Sequence, residues 1–193
     1  MRVVFKGVLD AAGGFLNRLG LMPNTMTLLG LVGNIIGAFF LARGQLTIGG
    51  LIILAMGAFD TLDGTMARLR GMSSEYGAFV DSVSDRYSEL AIYGGLIYYY
   101  LTQSDWLTAM VTFAAASGSV LVSYVRARAA SVGMDTKVGI LSRFERYLVL
   151  VPSLVFRIPW VGMWIIAIFA NVTAVQRILD VRRQWTVKHV NKS

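Results

Sequence analysis

The sequence predicts an all-α integral membrane protein, with six transmembrane helices preceded by an N-terminal interfacial amphipathic helix. Three observations carry that prediction. Of 193 residues, 55% are apolar and only 15% charged, and mean hydropathy is +0.60, whereas a soluble domain carries about 25% charged residues. The apolar residues gather into six stretches, most of them near the roughly 20 residues that cross a bilayer. If both termini are cytoplasmic, 16 of the 18 Lys and Arg residues lie on that side and only Arg43 and Arg157 lie outside, a strong positive-inside pattern.

In order along the chain, the first 22 residues form the interfacial element. Val4, Val8, Phe15 and Leu19 recur at helical spacing with Phe5, Leu9, Ala12 and Leu16 beside them, giving one apolar face that can lie on a bilayer. Lys6, Asp10 and Arg18 interrupt the run and no A-x-A-like site follows, so it does not read as a signal peptide. Pro23-Asn24 punctuates the approach to the first span. The spans run from about Thr25 to Leu41, Leu46 to Leu69, Tyr76 to Leu101, Trp106 to Ala130, Phe144 to Phe156 and Trp160 to Leu179, the fifth being short. Breaks fall at Ala42-Arg43-Gly44, Gly71-Met72-Ser73-Ser74, Thr102-Gln103-Ser104-Asp105 and Arg157-Ile158-Pro159. Residues 24–180 thus form a six-helix bundle and 181–193 a basic cytoplasmic tail, within a single domain spanning 1–193. Trp106, Trp160 and Trp164 near span ends suit interfacial anchoring. His189 in the tail reads as solvent-exposed.

The chain contains no cysteine, which excludes disulfide scaffolds, thiolate metal sites and cysteine nucleophiles. A net charge of +7 would suggest a nucleic-acid partner in a soluble protein. In a multi-pass chain it reflects cytoplasmic loops facing anionic lipid, so no nucleic acid is expected.

Four carboxylates stand out. Asp60 and Asp63 fall near the cytoplasmic end of the second span, Asp81 and Asp85 near that of the third. The first pair is three residues apart and the second four, so each projects from one helical face. Carboxylates at membrane depth are costly and call for a partner. Oxygen-only ligands favour a hard divalent ion, Mg²⁺ or Mn²⁺, and two such ions would offset four negative charges. Gly64, Ala67 and Gly77 allow close approach by backbone or a bulky diphosphate, and Arg68 adds a fixed cation. A cation or proton transporter is the alternative of a different class, but Gly64, Ala67 and Arg68 suit an anionic ligand better.

These residues, Asp60-Thr-Leu-Asp63-Gly64-Thr-Met-Ala67-Arg68, then eight residues and Gly77-Ala-Phe-Val-Asp81-Ser-Val-Ser-Asp85, resemble the CDP-alcohol phosphotransferase signature D-x2-D-G-x2-A-R-x8-G-x3-D-x3-D at all eight fixed positions. The six-span plan also resembles that family. The resemblance implies a cell-membrane enzyme of phospholipid biosynthesis, its active site cytoplasmic, which displaces CMP from CDP-diacylglycerol with an alcohol. It implies that Asp60, Asp63, Asp81 and Asp85 bind the metal pair and that Asp85 is also the general base. By the same resemblance Gly64, Arg68 and Ser74 contact the CDP moiety, and Pro23-Asn24-Thr25-Met26 forms another nucleotide-binding stretch. A homodimer is the family tendency.

The acceptor is read from cytoplasmic polar residues. Arg143 and Arg146 are three apart and share a face, whereas Arg126 and Arg128 are two apart and diverge. Converging guanidinium groups suit an acceptor that carries a phosphate. Ser123-Tyr-Val-Arg126-Ala-Arg128-Ala and Arg143-Phe-Glu-Arg146 are similar to the subgroup that makes phosphatidylinositol phosphate from inositol phosphate. The acceptor-phosphate set is therefore expected to be Ser123, Arg126, Arg143, Arg146 and Arg177. Phosphatidylglycerol phosphate synthesis from glycerol 3-phosphate is the alternative within the family. Arg182 and Arg183 read as snorkelling to the interface.

Overall fold

The computed structural model describes residues 23–69 and 74–190 together with Gly14. The expected interfacial helix over 1–22 lies outside the described residues, as do 70–73, 191–193 and the side chains of 23, 24, 61–64, 67–69, 189 and 190. The described residues form six α-helices and no strand. They are α1 (Pro23–Ala42), α2 (Leu46–Leu69), α3 (Glu75–Thr102), α4 (Trp106–Ser131), α5 (Arg143–Val155) and α6 (Pro159–Val190). Each coincides with one of the apolar stretches read from the sequence. One boundary differs: α6 continues through ten residues expected to belong to a separate tail. No Gly or Pro interrupts 180–190, and Gln184 ties the extension down, its Nε2 donating to Asp180 Oδ2 at 2.9 Å and to Asp135 O at 2.8 Å.

Three of these helices are long and apolar enough to cross a membrane, over Thr25–Ala42, Trp106–Ser131 and Pro159–Lys188. The described apolar part of α2 runs to Asp60, and α3 carries Asp81, Asp85, Arg86 and Glu89 within its first 15 residues. The acidic residues of the expected site thus interrupt the apolar runs of these two helices. At 13 residues, α5 is only about 20 Å long, short of the hydrocarbon thickness. Leu28, Val32, Ile35 and Phe39 on α1, Leu107, Met110 and Phe113 on α4, and Ile168, Val172 and Val175 on α6 are all exposed. So many outward apolar side chains mark lipid as the solvent.

The chain forms two compact units, Met1–Gly95 and Leu96–Ser193. In the first, α1 and α2 make an antiparallel hairpin whose glycines let the backbones touch. A Cβ on Gly49 would lie 2.8 Å from Gly37 O and 2.8 Å from Leu41 Cγ, and one on Gly37 would lie 2.9 Å from Ile53 Cγ1. Such small-residue contacts replace the hydrophobic drive that lipid removes. Gly44, at φ 75°, turns the chain between the helices, with Gly44 N donating to Leu41 O and Gln45 N to Phe40 O, both at 2.9 Å. Gly95 brings α3 against the backbone of Ala38 on α1.

In the second unit, α6 is the common neighbour. Asn171 Nδ2 donates to Ala114 O on α4 at 3.0 Å, and a Cβ on Gly118 would lie 2.6 Å from that same nitrogen. The run Ala114-Ala115-Ala116-Ser117-Gly118 therefore serves close helix packing within the subunit. On another part of α6, a Cβ on Gly162 would lie 2.8 Å from Ser153 Cβ of α5. Leu150, Leu154, Met163, Ile166 and Ala170 are all buried in this unit.

If Gly49 is the contact that seats α1 on α2, Gly49→Val should cost about 1 to 3 kcal/mol through overpacking. The measurement is the thermal-unfolding midpoint in detergent, with Gly94→Ala as control because nothing lies within 4 Å of a Cβ there. Equal midpoints for Gly49→Val and the wild type would contradict the packing.

Candidate metal and substrate site

At the start of α3, Ser74 Oγ accepts a hydrogen bond from Gly77 N and Ser74 O one from Ala78 N, both at 3.0 Å. This N-cap satisfies donors that a helix start otherwise leaves orphaned. It also sets the phase of the helix that carries Asp81 and Asp85. From α2 comes Asp60. One carboxylate oxygen from each of Asp60, Asp81 and Asp85 lies within 4.8 Å of the others. Asp85 is buried at 7% exposure, and Asp60 and Asp81 are half-buried. Arg86 Nη1 stands 3.5 Å from Asp85 Oδ2, at the outer limit of a hydrogen bond.

Three carboxylates brought this close repel one another unless positive charge stands among them. Arg86 supplies one such charge. The donor set is otherwise all oxygen, which fits a hard divalent cation and argues against zinc. Asp63, Gly64 and Arg68 lie in α2, but their side chains fall outside the described residues, as do those of Pro23 and Asn24. Thr25 is exposed. Met26 is only 1% exposed, so its side chain belongs to the core. Ser74, expected to contact the nucleotide, is seen here as the cap of α3.

In the second unit the structure gathers three of the arginines expected to meet the acceptor. Arg177 is 5% exposed and Arg146 2%. Arg177 Nη1 donates to Val122 O of α4 at 2.7 Å, and its Nε to Val138 O of the α4–α5 loop at 3.0 Å. The charges of Arg126 and Arg146 both act on it. Burying like charges together is costly, and a bound anion would offset that cost. Arg143 is exposed in the first turn of α5, one turn before Arg146. Ser123 Oγ turns back to Ser119 O at 3.4 Å. Arg128 bonds instead to Ser131, its Nη1 3.2 Å from Oγ, as divergence from Arg126 requires. In the loop, the hydrogen bond from Lys137 holds the Asp135 carboxyl below its ordinary range, with the charges of Lys137 and Arg126 adding to the effect.

Two residues near these groups escape a reading of the sequence. Arg86 is visible there only as one more cytoplasmic cation, although its adjacency to Asp85 is a usable signal. Thr173, whose Oγ1 holds the α4–α5 loop, gives no local signal in a helical apolar run.

The sequence matches the family model for CDP-alcohol phosphatidyltransferases over residues 20–175. The chain belongs to the CDP-alcohol phosphatidyltransferase family. It is therefore a transferase of phospholipid biosynthesis. It is 38% identical to a phosphatidylinositol phosphate synthase of Streptomyces avermitilis, over 95% of this chain and 81% of that protein. It is 35% identical to an archaetidylinositol phosphate synthase of Pyrococcus horikoshii, over 95% of this chain and 96% of that one. Among solved structures, the Mycobacterium tuberculosis phosphatidylinositol phosphate synthase with CDP-DAG bound is similar at a TM-score of 0.85 and 30% identity, covering 90% of this chain and 93% of that chain. The same enzyme in complex with manganese and citrate matches at a TM-score of 0.86, covering 90% and 88%. A manganese-bound relative and the clustered aspartates together support dependence on a divalent metal.

Asp60→Asn and Asp81→Asn should each weaken Mn²⁺ binding by at least about tenfold, as read by the paramagnetic resonance of free Mn²⁺ titrated with purified protein. Chelator should abolish CMP release, and added Mg²⁺ or Mn²⁺ should restore it. Undiminished Mn²⁺ binding by both variants would remove the carboxylates from the metal site.

Proposed function

We propose that the protein transfers the phosphatidyl group of CDP-diacylglycerol to inositol phosphate, releasing CMP and forming phosphatidylinositol phosphate. The observation that carries the acceptor reading is the burial of Arg146 and Arg177 within reach of each other's charge and of Arg126. An uncharged acceptor such as free inositol gives no return for that arrangement. A phosphate does, through charge-assisted and bidentate hydrogen bonds. The names of the relatives point the same way.

On the donor side, Asp60, Asp63, Asp81 and Asp85 are the ligands of the metal, taken to be two ions. Ions bound there would neutralise charge growing on the departing CMP oxygen. Asp85 takes the proton of the acceptor hydroxyl as that oxygen bonds to the lipid-side phosphorus and the bond to CMP breaks. Its carboxylate is a weak base beside a cation, so alignment and charge stabilisation supply most of the acceleration. Gly64, Arg68, Ser74 and Pro23-Asn24-Thr25 are assigned to the CDP moiety, with Gly64 leaving room for the diphosphate and Met26 packing into the core. On the acceptor side, Arg126 and Arg146 bind the phosphate. Arg177 adds a fixed positive charge, and Arg143 and Ser123 are the remaining candidates from the same helix ends.

The same reading takes all six helices as membrane-associated spans of one domain, with 1–22 at the interface and termini and site on the cytoplasmic side of the cell membrane. The distribution of Lys and Arg supports that sidedness. A homodimer is proposed from the family resemblance alone.

Purified protein supplied with CDP-diacylglycerol, Mg²⁺ and a panel of free and phosphorylated alcohols should release CMP fastest with inositol phosphate. Preference for glycerol 3-phosphate would reassign the acceptor, and preference for free inositol would overturn the phosphate reading. Replacing Arg126 or Arg146 by Ala should raise the acceptor KM about tenfold to a hundredfold while the CDP-lipid KM holds, since hydrogen bonds to charged groups are worth roughly 1.5 to 3 kcal/mol.

A separate expectation concerns Asp85. As the base, Asp85→Asn should still bind the CDP-lipid while turnover collapses, because the other carboxylates retain much of the metal site. Parallel loss of binding and turnover would reduce Asp85 to a ligand.

A further inference from the structure

Between Arg126 on α4 and Arg146 on α5, the chain crosses α6 at one small contact. There Thr173, fully buried, accepts on its single oxygen two successive backbone donors, Ile140 N at 3.2 Å and Leu141 N at 3.0 Å. The residue before them, Gly139, has φ +134°, a conformation that residues with a Cβ rarely adopt. A Cβ built on Gly139 would also strike the Thr173 methyl group. One turn further along α6, Arg177 Nε holds Val138 O at 3.0 Å. Within the loop segment 138–141, the main chain of Val138, Ile140 and Leu141 is thus held by side chains at i and i+4 on one face of α6.

The start of α5 comes directly after this segment. Leu141 is buried, Ser142 is the N-cap, and Ser142 O accepts from Arg146 N at 3.0 Å. Ser142 Oγ donates to the Glu145 carboxylate. No slack residue separates the segment held by Thr173 from the helical turn that carries Arg143 and Arg146. A threonine inside a helix commonly turns its hydroxyl to its own i−4 carbonyl. This one offers its oxygen lone pairs to a different segment, a use that packing alone does not require.

We propose that Thr173 is a positioning residue for acceptor recognition, acting with Gly139. Its oxygen sets the height and rotation of the first turn of α5, and so the placement of Arg146 relative to Arg177. Gly139 is the complementary half of the device, because only a residue without a Cβ fits the φ and the space against the Thr173 methyl. Sub-ångström placement matters here, since bidentate guanidinium bonds to phosphate are directional. The inference rests on the reading of Arg126, Arg146 and Arg177 as the acceptor-phosphate site.

The test is steady-state CMP release by the full chain in liposomes, varying inositol phosphate and CDP-diacylglycerol separately. Thr173→Val keeps the shape and removes the acceptor oxygen, leaving two backbone donors without it. It should raise the acceptor KM about tenfold with the CDP-lipid KM unchanged. Thr173→Ser retains the oxygen and should restore the wild-type acceptor KM. Gly139→Ala should reproduce the split seen in Thr173→Val, and it decides the matter by itself if Thr173→Val is not recovered folded. A wild-type acceptor KM in the deciding variant, equal losses on both substrates, or failure of Thr173→Ser to rescue would each overturn the positioning role. Arg146→Ala run in parallel separates the two levels. If it raises the acceptor KM and Thr173→Val does not, only the positioning inference falls. If Arg146→Ala leaves the acceptor KM unchanged, the acceptor site itself is misassigned.

Discussion

Everything distinctive about the first unit depends on one electrostatic constraint, the approach of three carboxylates to within 4.8 Å of one another in a largely apolar protein. Left alone, that arrangement is repulsive, and burial of Asp85 makes it more so. It becomes favourable around a divalent cation, whose ligand preference for oxygen the set matches. The helices must then be held in register well enough for side chains from α2 and α3 to meet a metal. The α1–α2 hairpin does this with backbone contact at Gly37 and Gly49, where a rigid seat replaces the adaptable packing of larger side chains. The Ser74 cap starts α3 at a defined phase, so that Asp81 and Asp85 fall on one face.

The second unit solves the opposite charge problem with a different device. The buried guanidinium of Arg177 is placed by hydrogen bonds to main-chain carbonyls, Val122 O and Val138 O. Carbonyl partners orient a guanidinium without neutralising it, so its charge stays available to a ligand. A carboxylate partner would have orientated it equally well and cancelled the charge. The helix α6 contributes most of these fastenings, from Asn171 through Thr173 and Arg177 to Gln184. Its C-terminal part, from Thr173 through Gln184, helps to hold the α4–α5 loop.

The helical plan was legible because lipid as solvent enforces long apolar runs and breaks them sharply. Arg43-Gly44, Ser104-Asp105 and Arg157-Ile158 each mark a turn that the structure reproduces within a residue or two. Asp60, Asp81 and Asp85 were legible for the converse reason, since acids in such runs are costly and helical periodicity says which way they point. What escaped was whatever depends on contacts between distant segments. The continuation of α6 past residue 180 is one case. Basic side chains there resemble a solvated tail, and the bond from Gln184 to Asp135 O that anchors the helix joins residues 49 apart. The main-chain partners of Arg177 are another, because carbonyls leave no trace in a sequence. Thr173 and Gly139 belong to the same class, 34 positions apart in the chain and without periodic or motif signal.

The clustered carboxylates lie on α2 and α3, outside the three helices that are long and apolar enough to cross a membrane over their described residues. Among the described residues, α3 carries Asp81, Asp85 and Arg86 within about three turns of its start, and Asp60 follows the apolar stretch of α2 that begins at Leu46. The strong spans α1, α4 and α6 carry no acid within their apolar windows except Asp180 near the end of the last. Each carboxylate at membrane depth costs a few kcal/mol on insertion scales, and a metal can offset that cost only after the helices bearing its ligands have been set side by side. Backbone contact at Gly37 and Gly49 seats α2 on α1, and so helps to hold Asp60 beside the carboxylates of α3.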